Sequence, residues 1–205
     1  MNKFTRRTVI AAACAAAAMT FAPMSFAQQA PEKKDVTIAV GGKSLYYYLP
    51  LSIAEQLGYF KDEGLNVKIV DFQGGSRSLQ AVVGGSADVV SGAFEHTISM
   101  QAKKQPMTAF VLQGRAPQLA LVVSNKTMKD YKQLSDLKGK KVGVTAPGSS
   151  SQMVANFILK KGGLGPKDVA FIGVGSSSGA VSAIRSGQID ALINLDPVIT
   201  ILLKE

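Results

Sequence analysis

The 205-residue chain carries 23 Lys and Arg against 14 Asp and Glu, a formal charge of +9, with one Cys, one His and no Trp. Its lysines fall in scattered pairs, Lys33-Lys34, Lys103-Lys104, Lys140-Lys141 and Lys160-Lys161, not on one face interleaved with aromatics, which excludes a nucleic-acid binder as the expected class. A lone His96 makes neither a metal cluster nor a catalytic triad.

In chain order, Lys3, Arg6 and Arg7 form a positive start, residues 8–21 are rich in Ala, Val and Ile, and Ser25-Phe26-Ala27 has the small-x-small form of a signal peptidase site. Residues 1–27 therefore read as a cleaved secretory signal. The alternative is a membrane anchor, for which the uncharged stretch 8–30 is long enough, but it is Ala-rich and contains Pro23. Thr5-Arg6-Arg7 leaves Sec and twin-arginine export both open. Cleavage removes Cys14 and three cations, leaving a mature chain of charge +6 with no thiol for a disulfide, nucleophile or metal.

Asp35–Val40 reads as a first strand ended by Gly41-Gly42, and residues 45–59 as an amphipathic helix closing at Gly58, with Pro50 absorbed by a kink or a late start. Residues 87–92 read as a strand, 96–103 as a helix, and 108–113 and 118–124 as two more strands. The polar segment 125–137 is expected to cross between lobes. Residues 141–145 then open the second lobe, and 149–161 form its first helix, stopped at Gly162-Gly163.

One pattern occurs twice. Gly64-Leu65, the apolar run 67–70, Gly74-Gly75-Ser76, a helical run 79–83, Gly85 and Asp88-Val89-Val90 recur as Gly163-Leu164, 169–172, Gly175-Ser176-Ser177-Ser178, 181–184, Gly187 and Asp190-Ala191-Leu192-Ile193. Strand, small-residue loop, helix, Gly, Asp and strand make one right-handed βαβ unit. Two copies imply an α/β protein with two similar lobes, residues 28–124 and 125–205, and a ligand cleft beyond the carboxyl ends of the strands.

Helix starts offer backbone N–H groups and partial positive charge to a small oxyanion. Three loops supply them: Gly74-Gly75-Ser76-Arg77, Pro147-Gly148-Ser149-Ser150-Ser151 and Gly175-Ser176-Ser177-Ser178. Ordinary Ser N-capping is the alternative at each. Arg115, after Gly114, is the candidate partner for a carboxylate or sulfonate, against the alternative of a surface Arg.

The strand 36–40, the helix ending Gly58-Tyr59-Phe60, then Glu63-Gly64-Leu65, Gly74-Gly75, Gly85-Ser86-Ala87-Asp88, Leu134-Ser135-Asp136-Leu137-Lys138-Gly139-Lys140-Lys141-Val142 and residues 190–197, in that order, resemble the periplasmic substrate-binding proteins of nitrate, sulfonate and taurine ABC importers. The resemblance implies a type II periplasmic binding protein fold with two Rossmann-like lobes. It implies a small organic anion held between them, no catalysis, no cofactor or metal, and delivery to a permease in the inner membrane. It also implies about a hundred further residues, so the chain is expected to be C-terminally truncated with an incomplete second lobe.

On the same resemblance, Lys43, Ser44 and Tyr46 after the first strand, Phe94 and Glu95 after the third, and Asn194 and Asp196 near the end join Gly75, Ser76, Arg77, Arg115, Gly148, Ser149 and Ser150 as ligand-binding candidates. Of Tyr46-Tyr47-Tyr48, one or two are expected in the core and one at the cleft. Leu195 stands where the family carries an aromatic residue. Glu95 would repel an oxyanion and suits a cationic or hydroxyl-bearing ligand. The alternatives are a thiamine-pyrimidine precursor-binding protein or synthase-like enzyme, whose chemistry in that group calls for a reactive histidine and a cysteine-rich segment, and a periplasmic ligand sensor.

Overall fold

The computed structural model describes residues 31–204, and the expected signal and its cleavage site lie outside the described residues. Three parallel strands, β1 (Asp35–Val40), β2 (Asn66–Asp71) and β3 (Val89–Ser91), form one sheet in the order β2-β1-β3. Around it lie α1 (Leu49–Gln56), α2 (Tyr59–Asp62), α3 (Gly75–Val83) and α4 (Glu95–Ala102). The second sheet contains β4 (Ala120–Val123), β5 (Lys141–Val144), β6 (Ala170–Gly173) and β7 (Ala191–Asn194) in the order β4-β7-β5-β6. Its helices are α5 (Ser150–Lys161), α6 (Ser178–Ser186) and α7 (Val198–Leu203). Among the described residues no helix is long and apolar enough to cross a membrane.

The repeated sequence is a repeated structure. Gly64 and Gly163 both take φ near +74°, at +73° and +74°, and the next residue turns back onto the preceding helix: Leu65 N donates to Phe60 O, and Leu164 N to Leu159 O. Asp88 N donates to Thr37 O while its carboxylate accepts from Thr37 N at 2.8 Å. Asp190 does the same with Lys141, its carboxylate accepting at 2.9 Å. In each lobe an Asp thus pins the third parallel strand to the first, near the amino ends of the strands.

Side-chain alternation assigns the two faces of each sheet. Ile38 and Val40 face a core with Leu45 and Tyr48, while Ala39 faces Ala81 and Ala87 under α3. In β7, Ala191 and Ile193 join Val142, Ala155 and Leu159, whereas Leu192 joins Ala180, Ile184 and Ile189. All four residues of β7 are buried because strands flank it on both sides and helices cover both faces.

Four expectations change. Pro50 becomes the second residue of α1 after a 3-10 turn at Tyr46–Tyr48, so a late start replaces the single helix 45–59. The run 108–113 is extended but forms no ladder; Phe110, Val111 and Leu112 are exposed, and Gln113 ties it down, accepting from Ser91 Oγ at 2.7 Å and donating to Tyr47 O at 2.8 Å. The strand at 118–124, read with the first lobe, pairs antiparallel with β7, so it belongs to the second sheet. Residues 125–137 consequently do not cross between lobes. Met128 and Leu137 are buried in the second core, where Asp136 caps the 3-10 turn Leu134–Leu137 by accepting from Lys132 N and Gln133 N. Among the described residues the second lobe has four strands and three helices.

Candidate functional site

The carboxyl ends of the strands from both sheets meet at a cavity of about 230 Å³. The first lobe contributes Gly41 after β1, Gly75 at the start of α3, and Ala93, Phe94 and Glu95 after β3. The second contributes Thr145 after β5, Ser150, Met153 and Val154 of α5, and Leu195 after β7. Gly114, Arg115, Ala116 and Pro117, in the segment joining the lobes, complete the wall. A larger cavity of about 490 Å³ lies inside the first lobe between α1, β3 and residues 107–114. Its walls are mostly apolar and drawn from one lobe, whereas polar groups of two lobes converge on the smaller one, as small-molecule sites require.

The cavity exists because the loops around it approach at backbone distance. A Cβ on Gly41 would lie 2.4 Å from Gly74 C and Gly75 N, and one on Gly42 would lie 2.3 Å from Ser176 Oγ. Asp71 holds this turn open by accepting from Gly42 N and Lys43 N, both at 2.8 Å. Across the lobes Ser76 Oγ donates to Pro147 O at 2.8 Å and Tyr46 N to Asp196 O at 3.0 Å.

Of the fourteen candidates from sequence, the structure brings Gly75, Phe94, Glu95, Arg115 and Ser150 together on the cavity. The others are employed elsewhere. Lys43 pairs with Glu55 at 2.6 Å, Ser44 is exposed, and Tyr46 is 61% exposed on the outer side of its turn. Ser76 and Gly148 meet at the interlobe contact, and Arg77 donates to Gln80 within α3. Ser149 is buried, its hydroxyl donating to Ala146 O at 2.6 Å and sharing a triangle with Thr145 and Ser151 at 2.8–2.9 Å. Asn194 is fully buried and accepts from Leu195 N, while Asp196 accepts from Thr200 N and Oγ1 at the start of α7.

Among the tyrosines, Tyr48 is in the core and its hydroxyl accepts from Gly41 N at 3.1 Å; burial pushes its pKa up to about 12. Tyr47 stands edge-on to it, ring centroids 5.0 Å apart, and lines the cleft alongside it. Its pKa is raised by burial and then by the Glu95 charge. Sequence reasoning also missed Thr145, Met153 and Val154. The last two share the face of Ser150 at i+3 and i+4, a spacing that marks which side of α5 looks at the cleft.

Two polar atoms of adjacent residues after β3 lack partners among the described residues, Glu95 at this cavity and His96 at the larger first-lobe one. Glu95 Oε1 is inaccessible to solvent and unpaired. His96 Nε2 is likewise unpaired, in a side chain only 6% exposed, and sits where a Cβ on Gly75 would approach it at 3.0 Å. Burial lowers the His96 pKa, which favours the neutral imidazole, and the Glu95 charge opposes that shift. No group of three or more His, Cys, Asp or Glu that could hold a metal occurs among the described residues.

Comparison with known proteins agrees with this architecture. A solved structure from Bordetella bronchiseptica RB50 is 65% identical, with a TM-score of 0.82 over 84% of this chain and 54% of that one. The alkanesulfonate-binding protein SsuA from Xanthomonas axonopodis pv. citri, bound to MOPS, superposes with a TM-score of 0.60 at 22% identity, covering 82% of this chain and 56% of its own. The periplasmic nitrate-binding protein NrtA from Synechocystis PCC 6803 gives 0.60 at 20% identity, covering 82% and 48%. These likenesses show the fold of a type II periplasmic binding protein. Among curated proteins, the 4-amino-5-hydroxymethyl-2-methylpyrimidine phosphate synthase of Schizosaccharomyces pombe is 27% identical over 162 residues, 78% of this chain and 45% of the synthase. The putative binding protein YtlA of Bacillus subtilis is 26% identical over 190 residues, 91% and 55%. The chain thus spans about half the length of the curated relatives it matches. The NMT1/THI5-like profile matches residues 46–200, from the first tyrosine turn to α7 and across both lobes, and on that match the chain belongs to the NMT1/THI5-like family.

Proposed function

We propose that this chain is the solute-binding component of an ABC importer, working in the periplasm after loss of residues 1–27. It holds a small organic anion, of the alkanesulfonate, taurine, nitrate or aromatic carboxylate class, between its lobes and presents it to an inner-membrane permease without transforming it. The observation that carries this reading is the cavity built from strand ends of both lobes, with Arg115 and the first residues of α3 and α5 on its wall. A volume of about 230 Å³ lies below the roughly 300–1,000 Å³ of drug-sized sites and suits a small solute. The SsuA and NrtA likenesses support the transport role through their fold.

A melting-shift screen of nitrate, taurine, alkyl and aryl sulfonates, aromatic carboxylates and pyrimidines tests it. At a hundredfold excess over Kd, a ligand that binds only the native state adds about 2.7 kcal/mol, or roughly 5–10 °C for a protein of this size. No shift from any class, or shifts unchanged by Arg115→Ala and Ser150→Ala together, overturns the assignment.

The synthase relatives favour a second reading, in which the same cleft takes an aminopyrimidine or its precursor. A catalytic form of that reading needs a reactive side chain at the cleft. His96, the one histidine, is buried and lines the first-lobe cavity instead. Pyrimidine shifts in the same screen, without turnover, would support the binding form alone; a ligand sensor would give the same shifts and be separated by the absence of permease binding.

A further inference from the structure

We infer that Glu95 is the specificity-determining residue of the cleft, admitting anions that also carry an N–H donor of the ammonium class and turning away simple oxyanions. The inference rests on the cleft being the ligand site. Glu95 is the first residue of α4, where a carboxylate is favoured by the helix dipole, and that accounts for its presence there. One of its oxygens, Oε1, is sealed from solvent with no donor among the described residues, so a solute in the cavity that Glu95 lines would meet the other oxygen. Of the nearby hydroxyls, Tyr47 turns to Gly92 O, and Thr145, Ser149 and Ser151 bond one another, while Ser150 lines the same cavity. Glu95 lines the same cavity as Arg115. A bare oxyanion drawn in by the guanidinium therefore meets a carboxylate in a poorly solvated wall, where like charges repel most strongly. An anion bearing an ammonium group satisfies both, donating to Glu95 while its acidic end meets Arg115 and the N–H groups of α5.

Calorimetry on matched pairs tests this in the purified protein: taurine against ethanesulfonate, and β-alanine against propionate. The aminated member of at least one pair is expected to bind tenfold or more tightly, the size of one charge-assisted hydrogen bond. Glu95→Gln should erase that preference by weakening the aminated ligand and sparing or improving its partner. Glu95→Asp, which keeps the charge at the start of α4, should retain the preference and guards against loss through misfolding. Equal binding within every pair, or a preference that survives Glu95→Gln, overturns the role of Glu95 while leaving the cleft intact as a site. Silence from both members of every pair, together with a blank melting screen, overturns the cleft reading and this inference with it.

Discussion

Replacing Gly41 by alanine probes whether the two loops at the cleft must meet backbone to backbone. The added methyl would lie 2.4 Å from Gly74 C and Gly75 N and 2.9 Å from Gly74 Cα, and none of these atoms belongs to a side chain that can swing aside. Gly74 is itself wedged, 3.0 Å separating a Cβ placed on it from Ala146 Cβ and Thr145 Oγ1, so relief in one direction transmits the strain to the second lobe. Overpacking of a close-packed site costs about 1–3 kcal/mol, and a backbone obstacle puts this case at the upper end. For a chain of this length that is a fall in Tm of roughly 4–12 °C. Gly114→Ala is the control, because it lines the same cavity yet a Cβ there meets nothing within 4 Å; it should change stability by less than about 0.5 kcal/mol. Urea and thermal melts followed by circular dichroism read both variants. Equal stability of Gly41→Ala and wild type would refute the claim that this contact is tight, and with it the account of how the start of α3 is positioned.

Ile193, fully buried at the centre of β7, should lose about 2–5 kcal/mol on Ile193→Ala, whereas Phe110→Ala, at a side chain 74% exposed, should stay within about 0.5 kcal/mol by urea titration. His96 has its pKa depressed by burial, so the unfolded chain binds more protons; stability should fall as pH drops below the ordinary value of 6.5, and His96→Gln should flatten that slope in melts between pH 5 and 7. The Asp88 carboxyl is held below 3.8 by the hydrogen bond from Lys33 and then that from Thr37 N; its contribution is present above that value and lost as pH falls through the lower folded pKa, and Asp88→Asn should remove this part of the acid transition.

The scaffold was legible in the sequence and most of the site was not, for physical reasons that differ. The Gly and Asp of the βαβ unit act within a few residues of themselves or on the adjacent strand, so their spacing carried their roles and both copies fold as read. Strand pairing depends on distant partners. The runs 108–113 and 118–124 have similar apolar composition, yet only the second finds a ladder, because β7 offers its free edge 70 residues later. Side-chain direction was equally hidden. Tyr46, Tyr47 and Tyr48 are adjacent in sequence, and one is exposed to solvent while the other two line the cleft, Tyr48 buried, according to a 3-10 turn whose phase composition does not set.

A division between the two copies of the repeat explains why the fold and the site separate so cleanly. The features they share, Asp88 with Thr37 and Asp190 with Lys141, sit near the amino ends of the parallel strands, away from the cleft. At the carboxyl ends the copies diverge. Phe94 and Glu95 follow β3 and line the cavity, whereas the corresponding stretch after β7 turns Asn194 into the core and Asp196 onto α7, leaving only Leu195 to face the ligand space. Gly75 meets the cavity at the start of α3, while Ser176, ahead of α6, packs against Gly42 instead. A symmetric frame with an asymmetric opening places most of the charge and aromatic surface on one lobe, with Glu95, Phe94 and Tyr47 there and a helix start and hydroxyls across from them. Under the proposed binding role, substitution at a few strand-end positions would change the ligand without disturbing the paired aspartates that hold each sheet together, which directs the proposed search to Glu95 and Arg115 and not to the repeat itself.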